Sequence, residues 1–521
     1  MINFNFDGKE YLYKISDTFL YSKGGIFYND HYLNSNEFDD FLSKENNYEI
    51  YNGSYCFIKK TNHKIVISVD CVRSMPVFYA KFNDKILISD SASWLQSKCT
   101  NISYDSISKK ELWLSGFVMG NKTIHPNIKQ IPAGNILVVD LNNQNKFNLI
   151  KSFQYSSLKN DNSTIHLLIN QHKQIFSNSI NRLISRANGK TIVIPLSSGL
   201  DSRLLALQLK LNNYKNVICF SYGKSNNSAS IKSKKTAKKL GFKWVFVEYT
   251  RSLWRKTYNS DLFKDYFFNA DNLSSIPHIQ DWISLNYLIT NNIIPNDSIL
   301  VPGHTGDFLA NGHIPPKFNH VINIETLVNE IIIKHYRVNN FKSLSQEERA
   351  GIRARIKDNL CSSDKFDNNY AKELFQCFDW SERQSKFIIN SVRVYDFFNF
   401  EWALPFWDLE LVNFWIKIPF SLKNDKLLYK SYIKYIDTFN VFDDVVIPLS
   451  EKPKKSYIKS FYKYLKKKYV LFLQSLQKRF LFYFTHDFQW YGILSYRKII
   501  FFKYKIQNIN TFLVNDYLKK K

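Results

Sequence analysis

A chain of 521 residues, 45% hydrophobic and 16% aromatic, can bury the cores of two or more globular domains, which excludes an intrinsically disordered protein. Its first residues lack the basic flank and apolar core of a secretory signal, and no run is long enough to cross a bilayer, so we expect a cytoplasmic protein. Six scattered cysteines indicate neither a zinc site nor a disulfide framework, while a net charge of +26 raises the question of a nucleic-acid or membrane partner.

Residues 1–155 predict a first domain rich in strands. Short aromatic and β-branched runs, such as 64–69 and 85–89, alternate with turns of Asn, Asp and Gly. A polar stretch over 156–164 then precedes a helical pattern over 165–187, and we place a domain boundary there.

Residues 156–455 predict a second domain that contains a parallel sheet. Strands and helices alternate, which is typical of strands joined by crossover helices, and the later part of the domain reads as largely helical. The predicted strands cover 191–196, 216–220 and 244–247, and the predicted helices cover 202–212 and 231–239.

The loop Ser197–Ser202 (SSGLDS) is the most informative local pattern. It breaks an apolar β-branched run and opens a helix, so that backbone N–H groups of small residues gather at the positive end of a helix dipole. Asp201 within the loop supplies a carboxylate for Mg²⁺ beside a bound phosphate. The pattern therefore predicts a nucleotide site at the carboxyl edge of the sheet.

Residues 456–521 predict a third, basic and aromatic helical segment. Residues 452–521 hold 17 Lys and Arg but only 2 acidic residues, and the lysines alternate with Phe, Tyr and Leu at roughly helical spacing. Such a surface could contact an anionic membrane or a lipid-linked substrate. A solvated cationic face on ordinary helices is the interpretation that we favour.

The same loop resembles the SGGxDS pyrophosphate loop of the asparagine synthetase family and its ATP-pyrophosphatase relatives, with Ser198 where a glycine is usual. Further stretches similar to that family follow in its order: 219–223 (CFSYG), 234–241 (KKTAKKLG), 301–307 (VPGHTGD) and 401–408 (EWALPFWD). Residues 70–79 and 120–134 resemble segments of the family's glutamine-hydrolysing domain, so the resemblance covers about residues 50–455.

The resemblance implies an α/β protein in which an Ntn-hydrolase-like α+β sandwich precedes a parallel-sheet ATP-pyrophosphatase domain with a helical C-terminal part. It also implies an AMP- and pyrophosphate-forming carbon–nitrogen ligase that uses ATP and Mg²⁺ to adenylate a carboxylate, which ammonia or an amine then attacks. By this resemblance Asp201 and Asp307 hold Mg²⁺. The residues implied to bind the nucleotide are Leu196, Ser197, Ser198, Gly199, Asp201, Ser202, Tyr222 and Gly303.

Other positions depart from the family pattern or leave a role open. His304 stands where relatives carry a glutamate that handles the acceptor amine, so it is our candidate base near neutral pH. A catalytic lysine follows in some relatives, and Lys452 and Lys454 are our candidates for it. We interpret His313 as a loop or packing residue, because its spacing from His304 and Asp307 matches no metal-site signature.

The signature over 401–408 lacks its usual arginine, which is Ala403 here, so the local ion pair cannot form in the usual way. Arg383 and Arg393 precede this signature. They are candidates for contact with phosphate or carboxylate, although salt bridges are the commoner role of such residues.

The first domain is expected to lack glutaminase chemistry. Glutamine-dependent relatives use a cysteine as their first residue after Met removal, whereas Ile2 offers no nucleophile, and Val69 replaces a usual arginine.

The motifs over 304–307, 390–395 and 401–408 resemble most the asparagine synthetase-like proteins of bacterial surface polysaccharide synthesis, which implies a sugar carboxylate of the uronic-acid type as substrate. Asparagine synthetase acting on aspartate and a catalytically degenerate ATP-binding protein are the alternatives. We expect no nucleic-acid partner, and a homodimer is left open.

Overall fold

The structure is a computed structural model that describes most of the chain. The described residues are 2–13, 19–44, 49–99, 103–142, 146–156, 163–311, 313–315, 318, 320–321, 323–360, 366–447, 486–494 and 509–520. The two candidate lysines, Lys452 and Lys454, lie outside these residues, as does much of the predicted basic segment.

The first domain consists of two sheets and three helices. Its elements are β1 (Ile2–Phe6), β2 (Lys9–Tyr13), β3 (Phe19–Tyr28), β4 (His31–Leu33), α1 (Ser35–Lys44), β5 (Asn52–Lys60), β6 (Lys64–Val69), β7 (Phe78–Phe82), β8 (Lys85–Ser89), α2 (Ala92–Lys98), α3 (Ser106–Ser115), β9 (Lys129–Gln130), β10 (Asn135–Asp140) and β11 (Lys146–Lys151). One sheet has the order β2-β1-β8-β7-β9 and the other the order β11-β10-β6-β5-β3-β4. All pairs are antiparallel except β1 with β8.

The two sheets pack face to face through one hydrophobic core. Along β6, Ile65 and Ile67 point into this core, whereas Val66 points to the opposite face and packs with Phe38 of α1. Both faces of the second sheet are therefore covered, which explains why β6 is a nearly continuous apolar run. The predicted α+β sandwich is confirmed.

The second domain contains a five-stranded parallel sheet. Its strands are β12 (Ile192–Pro195), β13 (Val217–Gly223), β14 (Lys243–Glu248), β15 (Ile299–Leu300) and β16 (Glu401–Trp402). The order β14-β13-β12-β15-β16 is that of a doubly wound sheet, in which the chain moves outward in one direction and then in the other. The switch point lies between β12 and β15.

Helices surround this sheet and form the later part of the domain, as predicted. They are α4 (Ile165–Ala187), α5 (Leu200–Leu211), α6 (Ser228–Leu240), α7 (Arg251–Asn259), α8 (Asp261–Asn269), α9 (Trp282–Thr290), α10 (Gly306–Asn311), α11 (Ile324–His335), α12 (Gln346–Asn359), α13 (Asn368–Phe378), α14 (Arg393–Phe397), α15 (Leu409–Lys417), α16 (Phe420–Lys423) and α17 (Leu427–Ile436). A further helix, α18 (Ile509–Lys520), lies in the C-terminal segment. A π-helical segment, Asp379–Ile388, continues α13.

The described C-terminal residues pack against the two domains. Trp254 of α7 donates its indole N–H to the Phe488 carbonyl at 2.7 Å, and Trp113 of α3 donates to Asn515 of α18 at 3.0 Å. Among the helices that the structure describes, none combines the length and apolar character needed to cross a lipid bilayer.

Candidate active site

A cavity of about 350 Å³ opens at the carboxyl ends of β12, β13 and β15. It lies at the switch point of the sheet, where open α/β sheets bind their ligands. Eight of the predicted site residues line it: Ser197, Gly199, Asp201, Ser202, Tyr222, Gly303, His304 and Asp307.

The loop between β12 and α5 is held by its own hydroxyl groups. Ser202 Oγ accepts from the Ser197 backbone N–H at 3.0 Å and lies 3.0 Å from Ser197 Oγ, which accepts from Gly199 N–H at 3.1 Å. Arg203 donates to the Gly199 carbonyl at 3.0 Å and pairs with Asp444 at 2.7 Å. At the start of α5, Gly199 has no side chain that could cap the helix. The N–H groups of the first turn, at the cavity end of the helix, are therefore left without a capping side chain. This arrangement suits a phosphate group.

A second loop, after β15, closes against the first. A Cβ on Gly303 would lie 2.8 Å from Ser202 N, and a Cβ on Gly306 would lie 2.9 Å from Asp201 Cγ. Both contacts are shorter than real Cβ atoms show, so glycine is required at each position for the loops to approach. The close approach brings Asp307 to Asp201, 106 residues earlier in the chain.

Asp201 and Asp307 form a pair of carboxylates at this junction. Asp201 Oδ2 accepts from Asp307 N–H at 2.9 Å, and its Oδ1 accepts from Tyr429 Oη at 2.9 Å. Burial and the negative charge of Asp307 raise the pKa of Asp201 to about 7. A divalent cation would offset this repulsion, and carboxylate oxygens are ligands that Mg²⁺ prefers. The two residues therefore fit the metal role that the resemblance implies.

His313 contacts Asp307, which the sequence interpretation of a loop or packing residue did not foresee. Its Nε2 lies 3.1 Å from Asp307 Oδ2, and its Nδ1 lies 2.7 Å from Asp379 Oδ2. The two carboxylates outweigh burial and raise the pKa of His313 to about 9, while His313 holds the pKa of Asp379 well below its usual range. Gln384 of the π-helical segment donates to Asp379 Oδ1 at 3.1 Å. A charged histidine thus links Asp307 to a fully buried aspartate.

His304 lies on another wall of the cavity. Its Nε2 is 2.8 Å from Ser391 Oγ, and burial lowers the pKa of His304 to about 4. His304 is therefore neutral at physiological pH, and it is a weaker base than the histidine titrating near neutral pH that the sequence predicted. His278, also on this wall, has its pKa lowered by burial to about 4.

The remaining predicted nucleotide residues occupy different positions. Tyr222 lies near the end of β13, lines the cavity and donates to Asp281 Oδ1 at 2.6 Å. Leu196 is buried in the hydrophobic core, where its N–H donates to the Phe220 carbonyl at 2.8 Å. Ser198 is half-buried and is not among the residues that line the cavity.

Lys426 is a cavity residue that the sequence did not single out. It precedes α17 in a left-handed backbone conformation with φ of 60°. Its charge lowers the pKa of both Asp201 and Asp307, so it lies in the same electrostatic environment as the carboxylate pair. In a lysine-rich chain, no local pattern distinguishes Lys426 from other lysines.

The acidic residues of the signature over 401–408 pair with cations on α4 and just after its end. Arg182 pairs with Asp408 through Nε at 2.7 Å and through Nη2 at 2.8 Å, and Lys190 pairs with Glu401 at 2.7 Å. These ion pairs take the place of the local ion pair within the signature, which Ala403 cannot form. Arg393 binds Asp396 at 2.8 Å and the Ser74 carbonyl at 2.6 Å, and it does not line the nucleotide-sized cavity.

A scan of protein-family models finds no match to the chain, and a search of curated proteins finds none either. Among solved structures, the chain is similar to an NH3-dependent NAD synthetase from Campylobacter jejuni, determined in complex with a nitrate ion. The identity is 13% over 38% of this chain and 95% of that one, with a TM-score of 0.21. A likeness of this extent assigns no activity to the chain.

Proposed function

We propose that the chain is an ATP-dependent carbon–nitrogen ligase that adenylates a carboxylate, releases pyrophosphate and transfers the acyl group from AMP to ammonia or an amine. The observation that carries this proposal is the Asp201–Asp307 pair beside the uncapped start of α5. The two features together offer a phosphate site and a cation site in one cavity at the switch point of the sheet.

Each part of the cavity has a role in this reaction. The uncapped N–H groups at the start of α5 would bind the β- and γ-phosphates, and Lys426 would add positive charge as the pyrophosphate leaves. Asp201 and Asp307 would hold Mg²⁺, which neutralises phosphate charge when bound. Gly303 and Gly306 keep the two loops close enough for one ligand to touch both.

His304 would act on the amine side of the reaction. An attacking amine must lose a proton, and the imidazole of His304 lines the cavity in which this transfer would take place. Ser391 contacts Nε2 of His304 and so fixes the orientation of the ring.

Ammonia or a free amine from solution would be the donor. Ile2 and Val69 are both buried in the core between the two sheets, where Ile2 pairs with Ile86 of β8. Following the resemblance, we propose a uronic-acid-type sugar carboxylate of surface polysaccharide synthesis as the substrate.

The test is pyrophosphate release from Mg-ATP, measured with a panel of nucleotide-linked uronic acids and aspartate, each with and without ammonia, glutamine or amino acids. We expect release that depends on one acid and falls at least about a hundredfold in Asp201→Asn. Asp443→Asn is the matched control, because Asp443 pairs with surface lysines away from the cavity.

The outcomes separate the alternatives. Release that depends on aspartate alone would identify an asparagine synthetase, and ATP binding without release for any acid would favour a degenerate ATP-binding protein. Release that persists in Asp201→Asn would refute the adenylation mechanism.

A further inference from the structure

Asp281 stands at the position before α9 where an aspartate usually caps a helix, but it makes no capping hydrogen bond. Its carboxylate instead accepts from Tyr222 Oη at 2.6 Å and from Tyr395 Oη at 3.0 Å. Asp281 and Tyr222 both line the cavity, so the carboxylate belongs to the candidate active site.

The surroundings of Asp281 are rigid. The Tyr222 ring stacks on Tyr249, with centroids 5.0 Å apart and an interplanar angle of 11°. Tyr249 Oη in turn lies 2.7 Å from Ser284 Oγ, and Tyr395 is fully buried. Tyrosines from two separate elements, β13 and α14, thus hold the carboxylate before any ligand arrives, which lowers the ordering cost of binding.

The carboxylate keeps acceptor capacity for a ligand. An ionised carboxylate has about four lone-pair sites, and the two phenols use one on each oxygen. Within the described part of the chain, no Lys, Arg or His side chain forms an ion pair with Asp281. A ligand that offers O–H or N–H donors would therefore find a prepared acceptor.

Asp281 lies on the β13 side of the phosphate loop. The Leu196 N–H donates to the Phe220 carbonyl at 2.8 Å, so β12 and β13 remain paired up to the start of the loop. Tyr222 follows two residues later, near the end of β13, and Asp281 lines the same cavity as the phosphate loop.

We infer that Asp281 accepts hydrogen bonds from the ribose hydroxyls of ATP and makes the site prefer ATP over nucleotides that lack both hydroxyls. This inference rests on the proposed function, because it takes ATP as the ligand of the phosphate loop. The cis-diol of a ribose supplies two O–H donors, which match the acceptor sites that the tyrosines leave open. Tyr222 and Tyr395 are positioning residues that hold Asp281 in place.

The test compares binding of ATP and 2′,3′-dideoxy-ATP, both with Mg²⁺, by calorimetry on the full chain. The two hydrogen bonds to Asp281 predict that the wild type binds ATP about tenfold to a hundredfold more tightly than the dideoxy nucleotide. In Asp281→Asn this preference should fall to less than about threefold, while affinity for 2′,3′-dideoxy-ATP stays within about threefold of wild type.

A second variant keeps the test independent of folding. Tyr395→Phe removes only the donor to Asp281 Oδ2, from a residue that does not line the cavity, and should reduce the preference by an intermediate factor. Thermal unfolding of both variants checks that the fold is kept.

The results distinguish this inference from the proposed function. If the wild type binds the two nucleotides equally, the role of Asp281 is overturned, but the proposed function is not. The same holds if Asp281→Asn loses affinity equally for both nucleotides. If Asp281→Asn keeps the wild-type preference for ATP and requires more amine, Asp281 acts on the amine. That result also overturns its inferred contact with the ribose. Failure of the wild type to bind either nucleotide overturns the proposed function as well.

Discussion

Asp201 carries most of the electrostatic interactions of the cavity. It receives hydrogen bonds from Tyr429 and from the Asp307 backbone, and it lies within the influence of the Asp307 and Lys426 charges. Since burial and Asp307 raise the pKa of Asp201 to about 7, a proton competes with a cation for this carboxylate near neutral pH.

We predict that the affinity for Mg-ATP decreases as pH falls through about 7, because protonation of Asp201 removes a cation ligand. In Asp307→Asn, the loss of the neighbouring charge lowers the pKa of Asp201, so the midpoint should move to lower pH. Calorimetric titration between pH 5.5 and 8.5 measures both midpoints. An unchanged midpoint in Asp307→Asn would contradict a Coulombic origin.

For His304 we predict that substitution slows only the second step of the reaction, the formation of the amide. His304→Gln removes the base and should slow amide formation about a hundredfold, with carboxylate-dependent exchange of pyrophosphate into ATP kept near wild type. Rapid-quench measurement of both steps makes the comparison. Equal losses in the two steps would mean that His304 positions ATP and does not act on the amine.

Among individual site residues, those that lie together in a contiguous motif could be identified from the sequence. Ser197, Gly199, Asp201 and Asp307 stand in short loops of small residues, which is a local signal. Asp281 has the pattern of an ordinary helix cap, and Lys426 has no pattern at all, since their roles arise from contacts with residues distant in the chain.

At the scale of single elements, the π-helical segment Asp379–Ile388 connects the cavity to the interior. It begins at Asp379, fully buried and paired with His313, and Gln384 one turn later fixes the other carboxylate oxygen. π-helical turns are often found at functional sites. The segment supplies a negative charge behind Asp307, on the side away from the cavity.

We predict that His313→Gln destabilises the protein in a pH-dependent manner, by about 2 kcal/mol at pH 6. Folding raises the pKa of His313 from about 6.5 to about 9, so its contribution is complete below pH 6.5 and is lost as pH rises through 9. Folding lowers the pKa of Asp379. The contribution of Asp379 to stability is therefore present above about pH 4 and is lost below it.

Urea unfolding of wild type and His313→Gln at pH 6, 8 and 10 checks this prediction. The difference in the free energy of unfolding should be largest at pH 6 and small at pH 10, where His313 is neutral in the wild type. A difference that is constant across these values would indicate lost packing instead of a lost charge interaction.

Elements with strong local signals were predictable. The predicted helix over 165–187 coincides with α4, because Thr164 caps its start and Asn188 ends it in a left-handed conformation. The strands β15 and β16 have only two residues each and leave no periodic pattern, yet β15 sets the switch point.

At the scale of the whole molecule, Arg182 joins the two domains. This arginine of α4 is 7% exposed and binds Asp408 and Glu410 of the second domain and Asp30 of the first. The sequence indicated only that Ala403 removes a local partner. It could not indicate that the cation comes from more than 200 residues earlier, since that depends on how α4 lies against α15.

We predict that Arg182→Met lowers the free energy of unfolding by about 3–5 kcal/mol, because it leaves the buried Asp408 carboxylate without its cation. Asp30→Asn is the control, since Asp30 is exposed and its pair should contribute less than about 1 kcal/mol. Guanidinium unfolding, followed by tryptophan fluorescence, measures both. A similar decrease in the free energy of unfolding for the two variants would contradict the importance of the buried Arg182–Asp408 pair.

The start of α15 depends on a side chain from the other domain. Asn52 of β5 donates to Asp408 Oδ2 at 2.9 Å and accepts from the Leu409 N–H at 3.0 Å. Its amide therefore supports both the aspartate that begins the helix and one of the helix's first N–H groups. Over evolutionary time, replacement of Asn52 should be tolerated chiefly when Asp408 also changes, so the two positions should covary among descendants of a common ancestor.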